Sequence, residues 1–306
     1  MKVLFKLFRV SIFMLFFACA TSCTHMDSQA AGAEITSTGT ITDGNLGEIS
    51  GLTASRIKEN ILWVLNDSGN SASIYALNPE GKLLFTLNID GVSNNDWEDI
   101  TSFEYNGKPY ILIADVGDNY ARRSKCFLHF IEEPDIRKMS VNSLFLKPSW
   151  SITYTYEDGP RDCESVAVDI KAGKILLLSK RDVPPVLYEL PLTEDKKAVA
   201  KKLTKIKPLI QITDEIKDLG FNTGQPTAMD ISANSLSAVV LTYGNAFYYK
   251  KKPSEEWSDV FTGSPQEITV PRMQQAESIC FSRDSSKIYI TSEKIPAPVY
   301  EIEMKN

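Results

Sequence analysis

The chain has 306 residues, 43% of them hydrophobic and 24% charged, with a formal net charge of -6. That length holds one large domain or two ordinary ones, and the apolar content is ample for a packed core. An acidic chain lacks the basic face that nucleic acid requires, so that class of partner is excluded.

The first residues read as an export signal. Lys2, Lys6 and Arg9 form a positive region ahead of the short apolar run Val10–Ala18. The run is too short to span a bilayer and is followed by small residues, the pattern of a cleaved signal peptide over 1–22. Ala20-Thr21-Ser22-Cys23 resembles a bacterial lipobox, which predicts cleavage before Cys23 and lipidation of its thiol. Cleavage there removes three positive charges and leaves the mature chain at -9. Thr24 is not the Asp that retains some lipoproteins at the inner membrane, so the outer membrane is the favoured destination. Residues 23–33 are small and polar and read as a tether, and 34–306 as the folded domain. Within that domain Cys126, Cys163 and Cys280 match no zinc spacing, and the expectation is buried free thiols.

Next along the chain, Ala33–Asp43 alternates and has no neighbouring partner strand. One phrase then recurs, starting at Ser50, Glu98, Glu164, Thr227 and Glu277. Each copy has a short apolar run, a turn, and a second run rich in Ile, Leu, Val and Tyr, which is strand-turn-strand. Two further strand-like pieces follow most copies: "SIYALN" and "LLFTLNI" in the first, "CFLHFI" and "WSITYTY" in the second, "VLYELPL" and "LIQIT" in the third, "AFYYKKK" and "QEITV" in the fourth. The fifth has only "PVYEIEM" before the chain ends. Four strands per repeat is the signature of a propeller blade. The fold expected is therefore all-β: one β-propeller with five four-stranded blades, the N-terminal strand closing the last. Six blades is the alternative, with a degenerate one inside 132–160 or 192–224. "TDEIKDL" near Asp214 is the one helix-like stretch.

In a blade, the start of the first strand and the end of the second lie on the same face. The five start positions should ring the channel, with Asn66-Asp67, Asp115–Asn119, Ser179–Arg181, Thr242–Asn245 and Ser292–Lys294 in a second circle. Three carboxylates, Glu98, Glu164 and Glu277, then converge at one mouth. Their repulsion must be offset by raised pKa values, nearby Lys or Arg, or a hard cation. Ca2+, which takes six to eight oxygens, suits this inventory. Arg123 and Arg181 stand nearby as anion contacts, Asn66, Asp118 and Asn119 as polar ligand contacts, and Trp97 as a stacking platform. The two histidines, His25 and His129, fall in the tether and in an outer strand, so no Ser-His-Asp triad is available.

"ISGL" at Ile49, "WVLNDSGN" at Trp63, "DWEDI" at Asp96 and "ADVGDN" at Ala114 resemble bacterial secreted propellers of the phytase-like, SdiA-regulated and gluconolactonase/paraoxonase neighbourhood, many of them six-bladed and TolB-like. The likeness covers roughly residues 48–134 and is a match of phase beyond. It implies a Ca2+ at the mouth held by Glu98, Glu164 and Glu277, with Asp67 and Asp115 helping. Ser50 and Thr227 depart from the acids of that pattern, and the paraoxonase-type His pair has no counterpart. The functional expectation is a lipid-anchored envelope protein that touches the membrane only through its anchor and binds a small molecule or an envelope protein on the acidic face. The alternatives are a metal-dependent phosphoesterase or lactonase, and a structural assembly factor.

Overall fold

Strand order follows the repeat. The computed structural model describes residues 33–209 and 224–304, and the export signal, Cys23 and the "TDEIKDL" stretch lie outside them. Among these residues the strands gather into five four-stranded antiparallel units. The first comprises β2 (Ile49–Ala54), β3 (Leu62–Asn66), β4 (Ser73–Leu77) and β5 (Leu83–Ile89). The second comprises β6 (Trp97–Tyr105), β7 (Lys108–Asp115), β8 (Cys126–Glu132) and β10 (Trp150–Tyr156). The third is β11 (Cys163–Asp169), β12 (Lys174–Ser179), β13 (Val186–Pro191) and β14 (Lys197–Lys205). In the fourth, β15 (Pro226–Ile231), β16 (Ser237–Thr242) and β17 (Ala246–Lys250) end on the short β18 (Gln266–Ile268). The last is β19 (Ala276–Phe281), β20 (Lys287–Ser292) and β21 (Ala297–Met304), completed by β1 (Ala33–Ile41).

The first strands close a ring: β2 packs on β6, β6 on β11, β11 on β15, β15 on β19, and β19 returns to β2. This is a β-propeller, and β1 pairs with β21 from Ala33↔Met304 to Ile41↔Ala297 as the closing strand. Ring closure of this kind covers two edges that would otherwise template pairing with other chains.

Burial explains why some strands announce themselves in the sequence and others do not. The first strands are shielded on both faces, and β2, β11, β15 and β19 have every residue buried. Outer strands face solvent on one side, and β14 is a lysine-rich strand with exposed residues through its length. It is the fourth strand of the third unit, in place of the expected "LIQIT", which lies largely outside the described residues. Its four lysines suit an outer strand, where charge is tolerated on the solvent side. The stretch 132–160 holds no further unit. It supplies β9 (Ser143–Leu146), a fifth strand parallel to β5, and β10, which also pairs parallel with β14 and joins the second and third units into one eight-stranded sheet. Between β6 and β7, Asn106 and Gly107 both take positive φ, 52° and 74°, as the tight hairpin turn demands.

Two buried carboxylates pin the ring from inside. Asp99 on β6 accepts from the N–H of Ile100 and Val166 at 2.8 Å each and from Met229 at 3.4 Å, so one side chain bonds the first strands of three units. Asp230 on β15 accepts from Ile231 and Phe281, both at 2.9 Å. All three body cysteines are free and buried, and burial pushes the Cys126 thiol up to about 11, as an inert structural thiol should behave. Replacing Asp99 with Ala strands buried N–H donors on β11 and β15, and we expect a loss of about 3 kcal/mol in denaturant unfolding. An unchanged midpoint and slope would show that these links contribute nothing.

Candidate functional site

Every first strand carries the same irregularity at its start. Register shifts occur between Ile49 and Gly51, Trp97 and Asp99, Cys163 and Ser165, Pro226 and Ala228, and Ala276 and Ser278. The skipped residues are Ser50, Glu98, Glu164, Thr227 and Glu277, the five positions that open the sequence repeat. A bulge leaves one residue out of the ladder and re-aims its side chain. All five are at least nine-tenths buried.

The two neutral positions are structural. Ser50 Oγ donates to the Trp97 carbonyl at 2.8 Å, and Thr227 Oγ1 donates to the Ala276 carbonyl at 2.7 Å. In both cases the acceptor is the residue before the next unit's bulge, so each hydroxyl ties neighbouring units together. The three glutamates are thereby left to form the polar centre.

A second repeating position lies just past the end of each second strand. The N–H groups of Asp67, Val116, Lys180 and Glu293 donate to the carbonyls of Glu48, Asp96, Asp162 and Gln275, each two residues before a bulge. By this equivalence the second circle is Asp67, Val116, Lys180, Tyr243 and Glu293. Asp115 falls one residue earlier and aligns with Asn66. A single step reverses the face a strand residue occupies, and Asp115 is buried against Arg123 at 2.7 Å and Asn95 at 2.5 Å, outside the central acids. Asp96, from the position two before the Glu98 bulge, joins them instead.

Two linked groups result. In the first, carboxylate oxygens of Asp67, Asp96 and Glu98 lie within 4.8 Å of one another. Gly117 makes room for them: a Cβ there would strike Glu98 Oε1 and stand 2.6 Å from Asp96 Cγ and Oδ2. In the second, Lys180 pairs with Glu164 and donates to Tyr243 OH at 2.9 Å, and Tyr243 OH donates to Glu277 Oε1 at 2.8 Å. Lys180 thus serves two glutamates, one directly and one through the phenol.

Proton affinities record the crowding. Burial, then Glu164, Asp67 and Asp96, raise Glu98 well above the usual carboxylate range. Burial and Asp67 push Asp96 to about 6. Burial lifts Glu164 to about 8 against the pull of Lys180. Burial and a hydrogen bond shared with Glu277 take Glu293 to about 9. For Lys180, burial opposes the charge, yet Glu164 and Tyr243 outweigh it and its pKa rises.

The other expected contacts are distributed around this centre. Asp118 accepts from the backbone N–H of Arg122 and Arg123 at 2.8 and 2.7 Å, which closes the 118–123 turn. Arg181 pairs with Asp162 at 2.6 Å and bonds Asn119. Asn66 is buried and donates to the Asn45 carbonyl at 2.6 Å. Trp97 has no exposed surface and packs with Trp63, Leu65 and Ile74, a wedge between units instead of a stacking platform. The second circle expected from the sequence contains both Lys180 and Tyr243, whereas the bulges, the part of Asp96 and the Lys180–Tyr243–Glu277 link do not show in the sequence. The Asp96 signal was present in "DWEDI", two residues ahead of the repeat start.

No family model and no curated protein matches the chain. Among solved structures it is similar to a hydrazine synthase from Kuenenia stuttgartiensis, at 10% identity over 82% of each chain with a TM-score of 0.44. It is also similar to a gluconolactonase from Xanthomonas campestris, at 9% identity over 89% of each chain with a TM-score of 0.46. These are likenesses of fold, and the architecture rests on the strand pairing described above.

The raised carboxyls fix the sign of the pH dependence. A carboxyl with a higher pKa in the folded state binds more protons folded than unfolded once pH exceeds about 4.3. Stability then falls as pH rises through the folded value. In chelator, the melting temperature should decline between pH 5 and 9, across the Asp96, Glu164 and Glu293 values. Glu293→Gln keeps a donor for Glu277 without titrating, so its decline should be shallower. A parallel decline in that variant would remove Glu293 from the account.

Proposed function

We propose that the chain is an exported, lipid-anchored envelope protein whose propeller binds its ligand at the carboxylate mouth through a hard cation, Ca2+. The observation that carries the reading is the convergence of Asp67, Asp96 and Glu98. The donors are carboxylates, with no His or Cys in the group, which suits Ca2+ or Mg2+ and disfavours Zn2+ and Cu2+. Gly117 lets the Glu98 and Asp96 carboxylates pack against its backbone, and a side chain there would displace the oxygens that hold the ion. Bound, the ion supplies positive charge to a ligand oxygen. Glu164 and Glu277, already engaged by Lys180 and Tyr243, shape the far wall, where the ammonium keeps a third N–H for an anionic or hydroxylated ligand. Arg123 and Arg181 carry the positive charge at the rim.

One observation favours a second reading, a metal-dependent hydrolase of the phosphoesterase or lactonase type. The Lys180–Tyr243 pair sets two proton-bearing groups beside the acids, where a leaving oxygen could be met. Turnover of generic phosphoesters and lactones separates enzyme from binder.

The cation is tested by melting in Ca2+ and in EDTA. A ligand that binds only the folded state must raise the midpoint, and 100-fold saturation is worth about 2.7 kcal/mol. Asp96→Asn and Gly117→Ala should each abolish the shift. An equal melt in Ca2+ and EDTA removes the cation and with it the hydrolase. Anchoring is tested separately. Labelled palmitate should enter the chain, and Cys23→Ser should release it from the membrane fraction. An unlabelled chain in the soluble fraction would end the lipoprotein reading.

A further inference from the structure

The opposite end of the channel has a different chemistry. The first strands run away from the carboxylate mouth, and the residues at their far ends line a cavity of about 340 Å³. Its most unusual member is Arg56, just past β2. The side chain is nine-tenths buried, 8% exposed by residue. Its Nε donates to the carbonyl and hydroxyl oxygens of Ser102, both at 3.0 Å, and its Nη1 donates to the Arg283 carbonyl at 3.2 Å. Every one of these acceptors is neutral. Among the described residues no carboxylate oxygen comes within 4.0 Å of the group.

A buried guanidinium is ordinarily paired, because removing its charge from water is expensive. Here the fork is fixed in orientation by three bonds while its charge lacks a contact partner. Two buried acids, Asp230 and Glu133, feel the guanidinium as a longer-range field that lowers their proton affinity, and Glu133 touches Arg56 only at its backbone N–H, at 2.9 Å. Arg283, which is exposed, lines the same cavity and adds a second guanidinium. The rest of the wall is mixed: Phe103, Val168, Ile170 and Ile231 give it an apolar side, and Ser102 and Ser232 give it hydroxyls. Glu104 also lines it and opposes a ligand of high negative charge.

We infer that this far mouth is a binding site for a small monocarboxylate with an apolar or aromatic body, its carboxylate on the Arg56 and Arg283 guanidiniums and its body against Phe103 and Ile231. Planar carboxylates match the guanidinium fork, and charge-assisted bonds of this kind are about twice as strong as neutral ones. A cavity of this size lies at the lower end of the range for small-molecule sites. The site is separate from the carboxylate mouth and stands whether or not a cation binds there.

Titration calorimetry with benzoate, benzamide and inorganic phosphate tests the assignment on the full folded chain. Benzoate should bind one to one, at least about tenfold more tightly than its neutral isostere benzamide or than phosphate. Arg283→Gln alters an exposed side chain, leaves the backbone carbonyl that holds Arg56, and should weaken benzoate about tenfold. Glu104→Gln should strengthen it. Asp96→Asn, at the other mouth, should leave it unchanged. Equal binding of benzoate and benzamide, or indifference to Arg283→Gln, overturns the site. Loss of benzoate binding in Asp96→Asn also overturns it, by placing the anion at the wrong end. Phosphate binding as tightly as benzoate overturns the monocarboxylate class.

Discussion

Closing five first strands into a ring forces the bulged residue of each one toward a common axis. Every other feature of the mouth is a response to that convergence. Two like charges about 4 Å apart repel by about 4 kcal/mol at the effective dielectric of a protein surface, and this ring brings in three glutamates with two aspartates beside them. The chain relieves the repulsion in three ways. Ser50 and Thr227 are neutral and turn their hydroxyls to backbone carbonyls. Lys180 enters from the second circle and reaches Glu277 through Tyr243. The remaining excess is carried as raised proton affinity on Glu98, Glu164 and Glu293. Protonation and cation binding are therefore competing answers to one electrostatic problem, and both would be drawn to the same oxygens.

The repeat was legible because its inner strands are buried on both faces. Such strands must be nearly continuous apolar runs, so "ILWVLN", "YILIAD" and "KILLLS" stand out however different their loops are. The closing role of Ala33–Ile41 was legible for a related reason, since an alternating strand without a local partner needs a distant one. The outermost strands were harder. β14 carries four lysines at irregular spacing, and only its place in the ladder makes it a strand. The channel-facing glutamates could be located from their place at the head of each phrase. What could not be read was register at the level of one residue. "WVLNDSGN" and "ILIADVGDN" look parallel when their acids are aligned, yet the ladder aligns Asn66 with Asp115 and Asp67 with Val116. That one step puts Asp115 in a buried pair with Arg123, and the carboxylate found beside Asp67 and Glu98 is Asp96. Bulges alter that step, and nothing in the composition of "SGL", "EDI" or "ESI" signals one.

The channel is also polar from end to end. Carboxylates dominate one mouth, Asp99 and Asp230 occupy the middle as acceptors for backbone N–H groups, and guanidinium groups sit at the other end. The two middle acids differ from those at the mouth in having their lone pairs taken by the fold itself. Asp99 is raised well above its usual range by burial in spite of three N–H donors, which marks how far the channel centre is removed from water. A solvated pore would not produce that shift. At its middle the propeller axis is packed around the buried Asp99 and Asp230, with charged groups gathered at each end.

That arrangement bears on how the domain holds together. Cys126, Cys163 and Cys280 are buried and unpaired, so no disulfide links the units among the described residues. The covalent staple is replaced by two non-covalent ones: β1 on β21 at the rim, and Asp99 and Asp230 across the first strands at the axis. Both act between residues far apart in the chain, 130 residues in the bond from Met229 to Asp99. Links of that span oppose the opening of any one unit without its neighbours, because separating two first strands breaks buried N–H bonds that water cannot reach to replace. The mouth inherits its rigidity from the same links, since Asp99 follows Glu98 directly and fixes the strand on which the bulge is built.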